Sequence, residues 1–179
     1  MALNATIYKV ELQVSDIDRH YYQAHSLVVA QHPSETTERM LVRILAFALN
    51  ASDSLEFTKG LSTESEPSLW QKTLTGEVNL WVEVGQPSYK RIKKACSQSN
   101  QVKVYTYSGH SAEVWRQQNK NDFAKLNKLQ LIDIPQNSVQ SLESAMSRNM
   151  ALQCTIQEGL IWFSSEQSSC EITPTSYSF

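Results

Sequence analysis

Alternation of apolar and polar positions defines both ends of the chain. From Thr6 to Val14, Tyr8, Val10, Leu12 and Val14 fall on one face and Lys9, Glu11 and Gln13 on the other. A period of two is the mark of a half-buried strand. Ser15-Asp16-Ile17-Asp18 is turn chemistry, and the aromatic and β-branched run Tyr21 to Ala30 reads as the return strand of a hairpin. Near the C-terminus, Leu152–Ile156 and Leu160–Ser164 form a second expected hairpin around Glu158-Gly159, with a short strand at Cys170–Ile172.

Between these ends the period changes. Pro33-Ser34 is the expected start of a helix, with Ser34 as N-cap and Glu35 and Glu38 in the first turn, where the helix dipole favours acids. Met40, Leu41, Ile44, Leu45 and Ala48 make its apolar stripe, and Glu38 sits at the stripe's edge. A short strand follows at Leu55–Leu61, then a polar acidic loop from Thr63 to Pro67; Leu69–Leu74 suits strand or helix. Val78, Leu80, Val82 and Val84 give the next strand an aliphatic face, opposite Glu77, Asn79, Trp81 and Glu83. Gly85 and Pro87 stop it for steric reasons. A basic helix then runs from Ser88 to Cys96 with Lys90, Arg91, Lys93 and Lys94. Strand Gln101–Tyr107, helix Ser111–Gln118, strand Leu129–Ile134 and helix Asn137–Arg148 complete the pattern. Alternation of strands and helices in the middle, with hairpins at both ends, predicts a mixed α/β protein with antiparallel additions.

The chain has 179 residues, which suits a single domain over 1–179 with a real core. The formal net charge of −2 excludes a general polyanion-binding surface, so any anion site is local. Cys96, Cys154 and Cys170 are widely spaced, with no Cys/His ligand spacing, which fits reduced thiols in the cytoplasm. Lys9 and Glu11 interrupt the first apolar stretch, so no secretory leader is expected, and no run of apolar residues is long enough to span a membrane.

Six blocks in fixed order carry a resemblance: His32-Pro33-Ser34-Glu35 with Glu38-Arg39-Met40 and Arg43; Phe57-Thr58-Lys59-Gly60-Leu61; Glu66-Pro67 with Trp70; Leu80-Trp81-Val82-Glu83-Val84-Gly85-Gln86-Pro87; Arg91-Ile92-Lys93-Lys94-Ala95-Cys96; and Thr155-Ile156-Gln157-Glu158-Gly159 with Ile161-Trp162. By these the chain resembles the YaeQ family of bacterial proteins over nearly its full length. The resemblance implies a variant of the PD-(D/E)xK restriction-endonuclease-like core, in the order αβββαβ, without an established reaction. Fold alone does not fix function. The superfamily's Pro-Asp is matched here by Pro67-Ser68, with Glu66 on the other side of the proline. Its Glu-x-Lys is matched by Glu83-Val84-Gly85, so the lysine is missing.

Phosphodiester cleavage on such a core needs a hard cation, and Mg²⁺ is satisfied by one or two carboxylates plus waters. Glu83 is the leading expected ligand, followed by Glu66 and Glu38. Lys93 or Arg91, flanking the buried face of the basic helix, is expected to supply the missing cation. Cations in a first helical turn oppose the macrodipole, and such local conflicts often mark function. Plainer readings stand beside these: Glu83 as a solvated acid paired with Lys93, and Lys90–Lys94 as a solvated helix face. The functional alternatives are therefore a Mg²⁺-dependent nuclease-like enzyme, a non-catalytic module that binds nucleic acid or protein, and a protein partner acting through its terminal hairpins.

Overall fold

In the computed structural model, which describes residues 4–179, the first hairpin forms as its alternation predicts. The elements in chain order are Thr6–Asp16 (β1), Tyr21–Gln31 (β2), Thr37–Asn50 (α1), Leu55–Phe57 (β3), Leu69–Lys72 (β4), Val78–Val84 (β5), Tyr89–Gln98 (α2), Ser99–Thr106 (β6), His110–Phe123 (α3), Leu129–Asp133 (β7), Gln136–Leu142 (α4), Asn149–Gln157 (β8), Leu160–Ser165 (β9), Ser169–Ile172 (β10) and Thr175–Tyr177 (β11). The protein is mixed α/β, with two sheets and four α-helices among the described residues.

The chain is organised as two compact units. One comprises the chain up to Ala51 with Asn137–Pro174, the other Ser52–Gln136 with Thr175–Phe179. The first holds a five-stranded sheet in the order β10-β9-β8-β1-β2. Strand β1 pairs antiparallel with β2 and parallel with β8, and it buries Val10, Leu12 and Val14 on the expected face. On β8, Met150, Leu152, Cys154 and Ile156 alternate into the same core. The β8–β9 turn places both Glu158 (φ 52°) and Gly159 (φ 75°) in the left-handed region, the two-residue loop that matches strand twist. The Asp18 carboxylate, from the β1–β2 turn, accepts the N–H groups of Glu158 and Gly159 at 2.7 and 2.9 Å.

Two expectations for α1 change. Its N-cap is Thr36, whose hydroxyl accepts the Arg39 N–H, and not Ser34; Glu35 therefore precedes the helix. Met40 to Ala48 are all buried, so the helix is enclosed all round and the apolar stripe understates it. Arg43 is tolerated inside because Glu35 faces it, with Arg43 Nη2 at 2.6 Å from Glu35 Oε2 and Arg39 Nη1 at 2.6 Å from Glu35 Oε1.

The second unit holds a six-stranded sheet, β11-β7-β6-β5-β4-β3, with β5, β6 and β7 parallel. Residues Leu69–Lys72 settle as a strand. A core of Trp81, Ile92, Ala95, Val102, Val104, Phe123, Leu129 and Leu131 joins the sheet to α2 and α3. Arg116, buried on α3, donates to Asp133 at 3.0 Å and stacks its guanidinium 4.3 Å from the centroid of Tyr177, which fastens β11 beside β7.

Candidate functional site

Strand β5 is flanked by β4 and β6 and so has no open edge, and from Leu80 to Val84 it is buried on both faces. That overturns the expectation of a solvated face. Glu83 is 3% exposed, and Trp81, two residues earlier on the same side, is 4% exposed. A carboxylate in such a place requires donors, and a counter-charge where it is ionised. Trp81 Nε1 and Arg91 Nε each donate to Glu83 Oε1 at 2.8 Å.

The path from Glu83 to Arg91 is short and fixed. Gly85 has φ 104°, which only glycine adopts without strain, and its N–H donates to the Tyr105 carbonyl at 2.8 Å. Open space surrounds its missing Cβ, so the backbone turn, and not crowding, accounts for the glycine. Ser88 caps α2 by accepting the Arg91 N–H at 3.3 Å. Arg91 then turns back from the first helical turn. Its Nη1 donates to the Glu64 carbonyl at 2.8 Å and its Nη2 to the Glu66 carbonyl at 2.7 Å. One guanidinium thus ties strand end, helix start and the β3–β4 loop together. The conflict of a cation with the helix dipole is offset by Glu83 lying at that helix end.

The expected site residues separate as follows. Glu83, Arg91 and the backbone of Glu66 come together. The Glu66 carboxylate turns away, to the Lys59 N–H at 3.2 Å. Lys93 is exposed and is not the partner of Glu83; Arg91 is. Glu38 stands half-buried in the first turn of α1, in the other unit. Among the described residues, no three of the His, Cys, Asp and Glu side chains come together as metal ligands. The donor set at Glu83 fits a planar guanidinium. For Mg²⁺ it offers one carboxylate with an arginine already against it.

Lys90, Lys93 and Lys94 are all exposed and, among the described residues, take part in no ion pair. Their i, i+3, i+4 spacing puts them on one side of α2. Trp70, on β4, is half-buried, with its indole N–H on Glu56 at 2.6 Å and Lys72 Nζ 3.5 Å from its ring centroid. His110 is exposed beside Glu113. In the first unit a cavity of about 400 Å³ is lined by Lys9, Glu11, Asn149 and Glu166 among others, and includes none of the expected site residues. The Glu35–Arg39–Arg43 cluster was not foreseen as a charge centre, although its spacings of four and eight residues stand in the first block of the resemblance.

Fold and site together define a two-sheet mixed α/β protein with a guanidinium clamp on a buried strand-end acid. The family model described as YaeQ protein matches residues 1–174, and the chain belongs to the YaeQ family. It is 39% identical to "Uncharacterized protein YaeQ" of Escherichia coli (strain K12) over 177 residues, covering 99% of this chain and 98% of the relative. The counterpart of the same name in Salmonella typhi is 40% identical with the same coverage. The crystal structure of YaeQ protein from Xanthomonas axonopodis pv. citri superposes with a TM-score of 0.93 at 41% identity, covering 96% of this chain and 97% of that one. That of Pseudomonas syringae gives 0.93 at 31% identity, covering 98% and 97%. No helix among the described residues is long and apolar enough to cross a membrane.

Proposed function

We propose that this protein is a non-catalytic nucleic-acid-binding module built on a PD-(D/E)xK nuclease-like core. The element order from α1 to β6 is αβββαβ, which supports that core, with Glu83 at the end of its third strand. The observation that carries the reading is the Arg91 clamp. A metal-dependent nuclease needs a carboxylate face open to a divalent ion. Here the ion would approach a guanidinium 2.8 Å from the carboxylate. Two like unit charges about 4 Å apart repel by about 4 kcal/mol at an effective dielectric of about 20, and a divalent ion doubles that.

The binding surface in this reading is the lysine side of α2. Residues 52–136 and 175–179 carry eleven Lys and Arg against nine Asp and Glu, a formal +2, whereas the remainder carries five against nine, a formal −4. Three lysines on phosphates would give a slope of about −2.7 for log K against log salt on duplex DNA. The test is fluorescence anisotropy with labelled duplex and single strands of DNA and RNA between about 50 and 200 mM salt. Salt-dependent binding that drops at least ten-fold in the triple variant Lys90→Gln, Lys93→Gln, Lys94→Gln supports the proposal. No binding at low salt, or binding indifferent to the triple change, overturns it.

A second reading, a Mg²⁺-dependent phosphodiesterase using Glu83, draws on the position of Glu83 at the strand end. Cleavage of DNA or RNA with Mg²⁺ or Mn²⁺ that disappears in Glu83→Gln would establish it and displace the first.

A further inference from the structure

Three of the four sheet edges are short: β10 has four residues, and β3 and β11 have three each. The fourth edge is β2, with 11 residues. A long edge presents a row of backbone donors and acceptors, and proteins ordinarily blunt it with charges, proline or a bulge. Strand β2 has none of these. Its sequence YYQAHSLVVAQ contains no Pro, Asp, Glu, Lys or Arg, and it pairs with β1 without a register shift from Asp16↔Tyr21 to Thr6↔Gln31. On its outer face Tyr22 is 56% and Val28 65% exposed, with Ala24, Ser26 and Ala30 exposed around them. Near its far end the Ala30 carbonyl accepts Arg43 Nη2 at 2.8 Å.

We propose that β2 is a self-recognition edge. Two copies of this chain pair antiparallel through β2 about a two-fold axis at Ser26, which joins two five-stranded sheets into one continuous sheet. The occupant is a second copy because the strand is complementary to itself. It contains no Lys, Arg, Asp or Glu, so self-pairing brings no two such like charges together within the strand. An axis at Ser26, the midpoint of the strand, sets Tyr22 opposite Ala30 and Ala24 opposite Val28 of the other copy, and Ser26 opposite itself. Each bulky exposed side chain meets a small one, the arrangement that packs facing positions without voids. On the inner side Tyr21 meets Gln31 and His25 meets Leu27. The interface is isologous, so it closes at two copies and does not propagate.

The test is sedimentation equilibrium of the full chain from about 1 to about 200 μM, a range in which a specific dimer of micromolar affinity forms. The expected mass rises with concentration from 20.3 kDa toward twice that value. Ser26→Lys sets two cations face to face across the axis and is expected to weaken self-association at least about ten-fold. Its fold is retained because the position is exposed and Glu11, which now accepts the Ser26 hydroxyl at 2.7 Å, is beside the new ammonium. Ser26→Glu weakens self-association likewise, and a mixture of the two variants restores a dimer through opposite charges at the axis. Circular dichroism melting of each variant checks that the sheet is intact. A monomer across the whole range overturns the proposal, including one that binds an extended peptide on β2. So does a dimer indifferent to Ser26→Lys, or a pair of folded charge variants that fails to associate on mixing.

Discussion

Arg91→Ala removes a guanidinium held 2.8 Å from a nearly dry carboxylate. The Glu83 side chain is 4% exposed and that of Arg91 28% exposed. Breaking one partner out of a buried ion pair costs about 3–5 kcal/mol, because the other charge stays desolvated. Partial exposure of Arg91 lets water follow the truncation, which places the loss near about 3 kcal/mol, the lower end of that range. Glu83→Gln is milder. It keeps an oxygen for the Trp81 N–H, and Arg91 keeps the carbonyls of Glu64 and Glu66, so about 1–2 kcal/mol is lost. With glutamine already present, deleting Arg91 strands no charge, so the two losses fail to add by at least about 1.5 kcal/mol. Urea unfolding followed by tryptophan fluorescence measures this, since Trp70, Trp81 and Trp115 all lie in the unit that contains the pair. At a slope of about 2 kcal/mol/M, Arg91→Ala lowers the midpoint by about 1.5 M. A loss under about 1 kcal/mol, or additive losses within about 0.5 kcal/mol, would mean a screened surface pair. Arg91 would then be exchangeable for another cation, and the non-catalytic reading would lose its support.

Glu35→Gln leaves two guanidiniums facing a neutral amide whose parent side chain is 1% exposed, and chemical denaturation should show about 3–5 kcal/mol lost; Glu38→Gln in the adjoining turn should lose far less. The N–H groups of Gly159 and Glu158 hold the Asp18 carboxyl below its ordinary value. A lowered folded-state value stabilises above the unfolded pKa, and that contribution fades as pH falls through the folded one. The melting-temperature gap between wild type and Asp18→Asn should therefore be flat above about pH 4–5 and close in more acid buffer; a gap that widens there contradicts the assignment. Burial, aided by Asp16, pushes the Cys154 thiol up to about 12. Thiol titration at pH 8 with peptide mapping should label the half-buried Cys170 first, Cys96 more slowly and Cys154 only on unfolding.

Elements legible in the sequence are those whose partners lie at a fixed period. Strands β1 and β8 alternate because one face of each meets a core, and the Glu158-Gly159 turn is set by backbone conformations that few residue pairs adopt. The same rule fails on β5. Glu83 and Trp81 repeat with period two on what reads as a wet face, but α2 covers that face and the two polar groups satisfy each other. Nothing periodic links position 83 to 91. The contact depends on the turn at Gly85, which is made by a φ angle and not by a side chain. By residue type Ser34 and Thr36 are equally good caps, and the helix starts at Thr36 with Glu35 turned inward to Arg43. Strand β11 has only three residues and no pattern of its own; Arg116, 61 residues earlier, donates to its Tyr177 hydroxyl at 3.2 Å.

Charge shows the same limit in another form. A formal −2 for the chain speaks against nucleic acid only if the charge is spread evenly, and it is not: one unit carries −4 and the other +2. Phosphate contacts are made within about a Debye length, roughly 8–10 Å, so the local balance decides them. Arg91, spent on Glu83, adds little to that balance, whereas Lys90, Lys93 and Lys94 remain solvent-facing. The four cations that read as one basic run in the sequence thus divide in two. The arginine, with a planar fork suited to a carboxylate and two carbonyls, is built into the fold. The lysines, strongly hydrated point charges on flexible stems, are left on the surface, where a polyanion would meet them.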